Sequence, residues 1–208
     1  GVFPVAITPG GELLFSQVSP TGTNLYAISL EGSVAGKARD LLHASSQIAR
    51  DWRLSPDGTT LSYLAPESVA ERVVHRLHVV TLEGLGAREQ QPPSTDEPST
   101  VEQYGPVWTP DGNALTVGRE TSSAQTAGAI TLPLNKSTMP TTLAAPEMGF
   151  DVPLGWSPDG ETLATRNFDG PNAADPGNEQ LTLIGAGGVR RTIISRSEVI
   201  FLGWWDRG

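Results

Sequence analysis

Residues 154–160 read Leu-Gly-Trp-Ser-Pro-Asp-Gly, and the 208-residue chain holds four further versions of this stretch. The other versions are Val5–Gly11 (Val-Ala-Ile-Thr-Pro-Gly-Gly), Arg53–Gly58 (Arg-Leu-Ser-Pro-Asp-Gly), Val107–Gly112 (Val-Trp-Thr-Pro-Asp-Gly) and Leu202–Gly208 (Leu-Gly-Trp-Trp-Asp-Arg-Gly). In the versions that contain proline, this residue recurs at spacings of 47, 54 and 48 residues. The regular spacing indicates one structural unit that is repeated four times and begun a fifth time.

The sequence Ser/Thr-Pro-Asp-Gly has the chemistry of a tight turn. Proline presets φ, aspartate tolerates the third position, glycine accepts positive φ, and the hydroxyl bonds the backbone across the turn. Along the strand before each turn, large apolar residues on one face alternate with smaller residues on the other. Val152, Leu154 and Trp156 share the large face, and Gly155 lies on the small one. A leucine follows each turn glycine by three residues, at Leu14, Leu61, Leu115 and Leu163. Each copy therefore predicts a β-hairpin with an apolar face.

A third strand follows each hairpin, and the segments Leu25–Gly32 and Leu77–Gly84 agree almost letter for letter. A weaker fourth apolar segment completes each unit, as expected for an outer strand that faces solvent. We predict an all-β fold, a β-propeller of four-stranded antiparallel blades with four complete blades and one extra inner strand. The units are residues 2–44, 48–91, 103–144 and 151–195, with a leftover strand at 199–205, all within one domain over residues 1–208.

Composition argues against nucleic-acid binding, cysteine chemistry and a membrane-spanning helix. The chain has 14 basic and 23 acidic residues, a net charge of −9, whereas nucleic-acid affinity comes mainly from clustered Lys and Arg. The absence of cysteine removes disulfides, thiolate metal sites and a thiol nucleophile. No apolar run approaches the roughly 20 residues of a membrane-spanning helix. We therefore expect no nucleic-acid partner and no membrane span in this chain.

With these motifs in hand, the chain resembles the WD40-like repeat family of TolB-type β-propellers, known as PD40 repeats. The resemblance rests on Trp-Ser/Thr-Pro-Asp-Gly, the leucine three residues later, and the Leu-x-Val-x-x-Leu-Glu-Gly strand at 77–84. Similar repeats occur in periplasmic TolB proteins, actinobacterial lipoproteins, extracytoplasmic parts of anti-sigma factors, and the propellers of prolyl-oligopeptidase-like serine peptidases. The resemblance implies an extracytoplasmic bacterial location, periplasmic or at the cell surface.

The number of repeats departs from that family. Related proteins usually close a ring of six or more blades, whereas this chain has four units and a strand. The count favours a fragment of a larger propeller over an unusually small ring. An open arc would expose an apolar blade face, and that face should recruit a second copy of the chain.

Catalytic and metal-binding residues are not evident in the sequence. There is no Gly-x-Ser-x-Gly elbow, and the three histidines, His43, His75 and His78, do not suggest a triad. On a strand, the spacing of three sends His75 and His78 to opposite faces, which disfavours metal binding. We predict no enzyme activity, no cofactor and no metal site.

Three further stretches have simple structural interpretations. Asp169–Glu179 is rich in oxygen ligands of the kind that bind calcium, but it lacks the Asp-x-Asp-x-Asp-Gly spacing with a downstream Glu. Its Gly, Asn, Asp and Pro content is that of an ordinary loop. Gln90–Glu102 is interpreted as an extended connector between the second and third units. Ala65–Arg72 is expected to form one helical turn or a loop extension.

The remaining suggestion for function is geometric. Propellers gather the loops of every blade at two rims, where partners or ligands usually bind. One rim would collect the turns, and we predict its candidate interaction residues as Asp57, Asp111 and Asp159. The resulting hypothesis is a non-catalytic, protein-interaction or ligand-sensing propeller with a protein partner. The alternative is the substrate-gating accessory domain of a prolyl-oligopeptidase-like serine peptidase whose catalytic domain lies elsewhere.

The register makes a prediction about stability. If Trp156 lies between blades, Trp156→Ala should lower the free energy of unfolding by about 3 to 5 kcal/mol, as for other large core truncations. Urea unfolding followed by circular dichroism measures the change. An unchanged unfolding midpoint would place this tryptophan on the surface and break the register.

Overall fold

The computed structural model consists of four antiparallel sheets with four strands each. It describes residues 1–31, 36–69, 71–83, 86–90, 101–120, 128–135, 137–185, 187–195 and 200–205. Within those ranges the regular elements are all strands. The predicted all-β fold with four-stranded antiparallel blades is therefore confirmed.

In every blade, strand order in the sheet follows strand order in the chain. Blade 1 comprises β1 (Val2–Ile7), β2 (Glu12–Ser19), β3 (Gly22–Ser29) and β4 (Arg39–Ser45). Blade 2 comprises β5 (Arg50–Leu54), β6 (Thr60–Val69), β7 (Arg72–Glu83) and β8 (Gly86–Gln90). Blade 3 comprises β9 (Gln103–Trp108), β10 (Ala114–Arg119), β11 (Ile130–Pro133) and β12 (Thr141–Thr142). Blade 4 comprises β13 (Phe150–Trp156), β14 (Thr162–Phe168), β15 (Glu179–Gly185) and β16 (Arg190–Ile194).

The blades group into two compact units. Unit 1 covers residues 1–92 and contains blades 1 and 2, and unit 2 covers residues 93–208 and contains blades 3 and 4. That residues 1–208 form one propeller domain stays a prediction. The connector between the units, residues 91–100 of the stretch Gln90–Glu102, lies outside the described residues.

The core of unit 1 lies between its two blades. Trp52 stacks on Tyr63 with ring centroids 4.4 Å apart, and Tyr63 stacks on His78 at 5.2 Å. The rest of the buried cluster is Leu14, Leu25, Ala27, Ala49, Leu61, Ala65 and Val80. Burial of one leucine side chain contributes about 1.5 to 3 kcal/mol, so the leucines after the turns, which are fully buried, are major contributors to this core.

The core of unit 2 lies where β13 packs against β9 and β10. Val107, Ala129, Leu163 and Ile184 are buried together there, and Trp156 packs against them while remaining partly exposed. The Trp156 indole Nε1 donates a hydrogen bond to Thr116 Oγ1 at 2.9 Å, which joins blade 4 to blade 3. The predicted position of Trp156 between blades is thus observed, and its partial exposure places the cost of removal near the lower end of the range above.

Within each unit, the turn of one blade packs on the turn of the next. In unit 1 a Cβ built on Gly58 would lie 2.3 Å from Cδ of Pro9, and in unit 2 a Cβ on Gly160 would lie 3.8 Å from Pro110. Both glycines have φ of +73°. The turn glycines therefore serve two purposes: they accept a left-handed conformation, and Gly58 also admits the proline ring of the neighbouring turn.

The first strand of every blade shifts register against the second strand. In blades 1, 2 and 4 the shift lies on the first strand, between Pro4 and Ala6, between Arg50 and Arg53, and between Pro153 and Gly155. In blade 3 it is seen on the second strand, between Thr116 and Gly118. Asp51 in blade 2 has φ of +57° and the equivalent Gly105 in blade 3 has φ of +46°. Aspartate is one of the few non-glycine residues that adopt this conformation readily. Such bulges bend the strand and increase its twist.

Two sequence expectations are corrected by the structure. Residues 200–205 of the leftover strand form no strand, because no described strand pairs with them. Instead Trp204 Nε1 donates to the Gly155 carbonyl oxygen at 3.0 Å, and the Phe201 ring packs edge-to-face on Trp204. In the stretch Ala65–Arg72, residues 65–69 continue β6 and pair with β7, so the described part of this stretch is strand and not a helical turn.

Substitutions of glycine separate the two purposes of the turn glycines. Gly160→Ala should destabilise the protein by about 1 kcal/mol through the unfavourable φ alone. Gly58→Ala should cost more, because its methyl group also collides with Pro9. Gly86→Ala is the control, since nothing lies within 4 Å of its Cβ and its φ is not left-handed. The urea concentration at the unfolding midpoint should be highest for Gly86→Ala, lower for Gly160→Ala and lowest for Gly58→Ala. Equal midpoints for Gly160→Ala and Gly58→Ala would contradict the close packing of Pro9 on Gly58.

Candidate functional site

The three candidate aspartates are bound within their own turns. Asp57 Oδ1 accepts hydrogen bonds from Ser55 Oγ at 2.5 Å and from the Thr59 backbone at 3.0 Å. Asp159 Oδ1 accepts equivalent bonds from Ser157 Oγ at 2.5 Å and from the Glu161 backbone at 3.0 Å. These bonds close the hairpin, so the aspartates have a structural reason to be present.

Asp111 makes the same contacts with different side chains. Its Oδ1 accepts from Thr109 Oγ1 at 2.6 Å and from the Asn113 backbone at 3.0 Å, and its Oδ2 accepts from Asn113 Nδ2 at 2.9 Å. In all three turns the pKa of the aspartate is lowered most by the hydroxyl of the Ser or Thr that begins the turn. The second largest cause is the backbone N–H of the residue two positions after the aspartate. The carboxylates are therefore held ionised at neutral pH.

Asp111 and Asp159 border one groove in unit 2, which we call the unit 2 groove. It has a volume of about 680 Å³ and lies between the turns of blades 3 and 4. Its apolar wall is formed by Pro110, Leu143, Trp156 and Pro158, and the remaining lining residues are Thr109, Ala114, Thr131, Thr141 and Gly160. The groove thus combines an aromatic and proline surface with two carboxylates.

Asp57 borders a different groove, between the turns of blades 1 and 2 in unit 1. That groove has a volume of about 300 Å³, and Pro9 and Gly58 meet in it. Arg39 and Glu12 also line it and form a salt bridge of 2.6 Å. The structure therefore brings Asp111 and Asp159 to one groove and Asp57 to a smaller one. That the three form a partner-binding rim stays a prediction.

The histidines lie on β4 and β7, and His78, which stacks on Tyr63, is mostly buried. His78 lies between two carboxylates, with Nδ1 2.9 Å from Glu89 Oε1 and Nε2 3.1 Å from Glu67 Oε1. His43 Nδ1 lies 2.8 Å from Asn24 Oδ1. Among the described residues, no group of three or more His, Asp and Glu side chains is arranged to hold a metal ion.

The oxygen-rich loop at Asp169–Glu179 uses its carboxylate internally. Asp169 Oδ1 accepts from the Asn178 backbone at 2.6 Å, and its Oδ2 accepts from Asn178 Nδ2 at 2.9 Å. Asn172 Oδ1 accepts from the backbone N–H groups of residues 174 and 175. These bonds are those of a self-closed loop, which is the simpler of the two interpretations of this stretch.

Comparison with known proteins identifies the class of fold. No protein-family model matches the chain. No curated protein matches it in sequence. The fold is similar to that of TolB from Acinetobacter baumannii, with a TM-score of 0.56 and 16% identity over 94% of this chain and 44% of that one. The chain therefore has the all-β fold of TolB-like propellers, while its membership of the PD40 repeat family stays a prediction.

Two solved enzymes share the fold. A gluconolactonase from Xanthomonas campestris matches with a TM-score of 0.54 and 13% identity over 92% of this chain and 61% of that one. Prolyl oligopeptidase B from Galerina marginata matches with a TM-score of 0.52 and 13% identity over 94% of this chain and 30% of that one. The chain spans less than two thirds of the length of each of these three proteins.

These enzymes correct one sequence prediction. The prediction of no enzyme activity was wrong as an inference, because it took the absence of a Ser-His-Asp signature as a ground for excluding catalysis in general. Structures of the same fold include a gluconolactonase and a prolyl oligopeptidase. At such low identity the likeness carries the fold and no particular reaction.

In the part of the chain that the structure describes, no helix is long and apolar enough to cross a membrane.

The turn bonds predict a pH dependence. By NMR titration, Asp57, Asp111 and Asp159 should each show a pKa below the ordinary 3.8. Because the folded pKa is lowered, each carboxylate stabilises the fold above that ordinary value, and the contribution is lost as pH falls through the folded pKa.

Single substitutions assign that effect to its cause. Ser55→Ala should raise the pKa of Asp57 and leave Asp159 unchanged, because the Ser55 hydroxyl is the largest influence on Asp57 alone. Ser157→Ala should do the reverse. A Ser55→Ala protein in which the Asp57 pKa stays where it was would show that the hydroxyl has no such role.

Proposed function

We propose that the chain is a propeller segment that binds a protein partner, and that a segment of this partner lies in the unit 2 groove. The observation that carries the proposal is the groove itself, with about 680 Å³ of space and the Trp156 indole in its wall. Tryptophan is enriched among the residues that dominate binding energy at interfaces. In unit 1 the equivalent position is Leu54, and the corresponding groove is less than half as large.

The composition of the groove favours one kind of partner segment. Pro110, Pro158 and Trp156 offer an apolar surface for an aliphatic or aromatic side chain. Asp111 and Asp159 lie beside it as carboxylates, and the whole chain carries a net charge of −9. Charge complementarity favours a segment with Lys or Arg next to its apolar residue and raises the association rate. A basic, apolar peptide segment is thus the best fit.

The location of the protein is part of the proposal. The TolB-type repeat pattern and the TolB-like fold support an extracytoplasmic bacterial protein. Fractionation of the native cells with an antibody against the chain tests this point. Recovery with the cytoplasmic marker would contradict it.

A second copy of the chain is the other candidate occupant of the unit 2 groove, and sedimentation equilibrium distinguishes self-association from binding of another protein.

A second function has a specific observation in its favour. The match covers 30% of the length of prolyl oligopeptidase B. In this second function the chain is an accessory propeller that controls access to a peptidase domain. The reading frame of the parent gene and peptidase activity of its full product test this. A parent product that encodes no hydrolase and cleaves no peptide would exclude the accessory role.

The binding proposal predicts the effect of filling the groove. A photoreactive residue at Thr141, which is exposed and lines the groove, should crosslink the partner in envelope extract, where mass spectrometry identifies it. Thr141→Arg should then weaken binding of the identified partner at least tenfold, a loss of about 1.4 kcal/mol, because the long cation fills the groove and repels a basic segment. Titration of the purified pair measures the change.

The matched control lies outside the groove. Asp175→Arg introduces the same side chain on an exposed loop of unit 2 and should leave affinity unchanged apart from a small effect of net charge. Equal losses in the two variants would show that the groove is not the binding site. Crosslinking that is equally strong from residue 175 would lead to the same conclusion.

A further inference from the structure

Blade 4 differs from the other three blades at one position in the repeat. Two residues after the leucine that follows each turn, the second strand pairs with the third. In blades 1 to 3 the pairs at this position are Ser16 with Leu25, Tyr63 with His78, and Val117 with Ile130. In blade 4 the pair is Thr165 with Thr182, and both threonines are buried. Each of the other blades has at least one apolar or aromatic side chain in this pair, so a pair of two threonines is particular to blade 4.

The polar character continues into a buried ion pair. Arg190 makes two hydrogen bonds to Asp151, of 2.7 and 2.9 Å, and a third to the Ala144 carbonyl oxygen at 2.7 Å. The Asp151 side chain is completely buried. Burial raises the pKa of Asp151, and the bonds from Arg190 act in the opposite direction. A buried ion pair adds little net stability compared with apolar residues of similar volume.

A cavity opens beside this ion pair in unit 2. Its volume is about 310 Å³, at the lower end of the roughly 300 to 1,000 Å³ of small-molecule sites. The buried side chains of Asn167 and Thr182 form its inner wall, and Arg190 also lines it. The other lining residues are Pro146, Glu147, Met148, Asp169, Gln180 and Thr192.

The lining offers both kinds of hydrogen-bonding group. Arg190 and the Gln180 amide N–H groups are donors, while the side-chain carbonyl oxygens of Asn167 and Gln180 and the threonine hydroxyls accept. The Asn167 amide nitrogen itself already donates to the Phe150 carbonyl oxygen at 3.2 Å. The Asp151 carboxylate balances the charge of the Arg190 guanidinium, and the carboxylates of Glu147 and Asp169 disfavour an anion. A ligand hydroxyl can donate and accept, which suits such a mixed wall.

We propose that this cavity binds a small molecule with several hydroxyl groups and no negative charge, of the polyol or monosaccharide class. Asn167, Gln180, Thr182 and Arg190 form the hydrogen-bonding wall, and the Asp151 ion pair holds the Arg190 guanidinium in place. The site is separate from the unit 2 groove and does not depend on the function proposed for that groove.

The experiment compares three probes of similar size and different charge. D-glucose and myo-inositol are neutral, and D-gluconate is an anion at neutral pH. NMR titration of the isotope-labelled chain should show saturable binding of at least one neutral probe, at least tenfold tighter than the binding of gluconate. Shifted resonances should include Gln180 and Thr182. Absence of saturable binding by both neutral probes, or tightest binding of gluconate, would overturn the proposal.

Two conservative variants test the wall. Thr182→Val and Gln180→Met keep the side-chain volume and should each weaken binding of the neutral probe about three- to tenfold, the effect of one lost hydrogen bond. Thr162→Val on β14 is the matched control, because it lies on the same sheet outside the cavity, and it should leave affinity unchanged. Thermal melts verify that all variants fold. Affinity that is equal in wild type, Thr182→Val and Gln180→Met would show binding elsewhere and overturn the assignment.

Discussion

The hairpin turn is the constraint on which the rest of the structure depends. In Ser157-Pro158-Asp159-Gly160, the serine hydroxyl donates to the aspartate, the aspartate accepts a backbone N–H beyond the turn, and the glycine takes a left-handed φ. These contacts span only a few residues, so the turn forms locally and sets the register of two strands. That register places Leu163 in the core, and the same relation holds in every blade.

The same turn produces two different surfaces. In unit 1 the Pro9 ring lies close against Gly58, and the Glu12–Arg39 ion pair occupies part of the groove between the turns. In unit 2 the neighbouring turns are less tightly packed, and a tryptophan replaces the leucine of the first unit. A repeated folding device can therefore carry a function at one copy and none at another, because the residues around the turn are free to differ.

Fold and function separate clearly in this protein. The fold is shared with TolB, a gluconolactonase and a prolyl oligopeptidase, so neither binding nor catalysis follows from it. Function has to be argued from sites. The unit 2 groove is an open surface with an aromatic wall, whereas the cavity beside Asp151 is lined mainly by polar side chains. The two sites fit ligands of different chemistry and can be tested independently.

The sequence alone determined the repeats, the turns, the buried leucines and the four-stranded blades, because turn chemistry and period-two alternation are local properties. Tertiary structure decided what depends on distant partners. Residues 200–205 have the pattern of a strand but no described strand to pair with, and Asp151 meets Arg190 across 39 positions of the chain. The turn aspartates were recognised as residues, but only packing between blades showed that two of them border one groove.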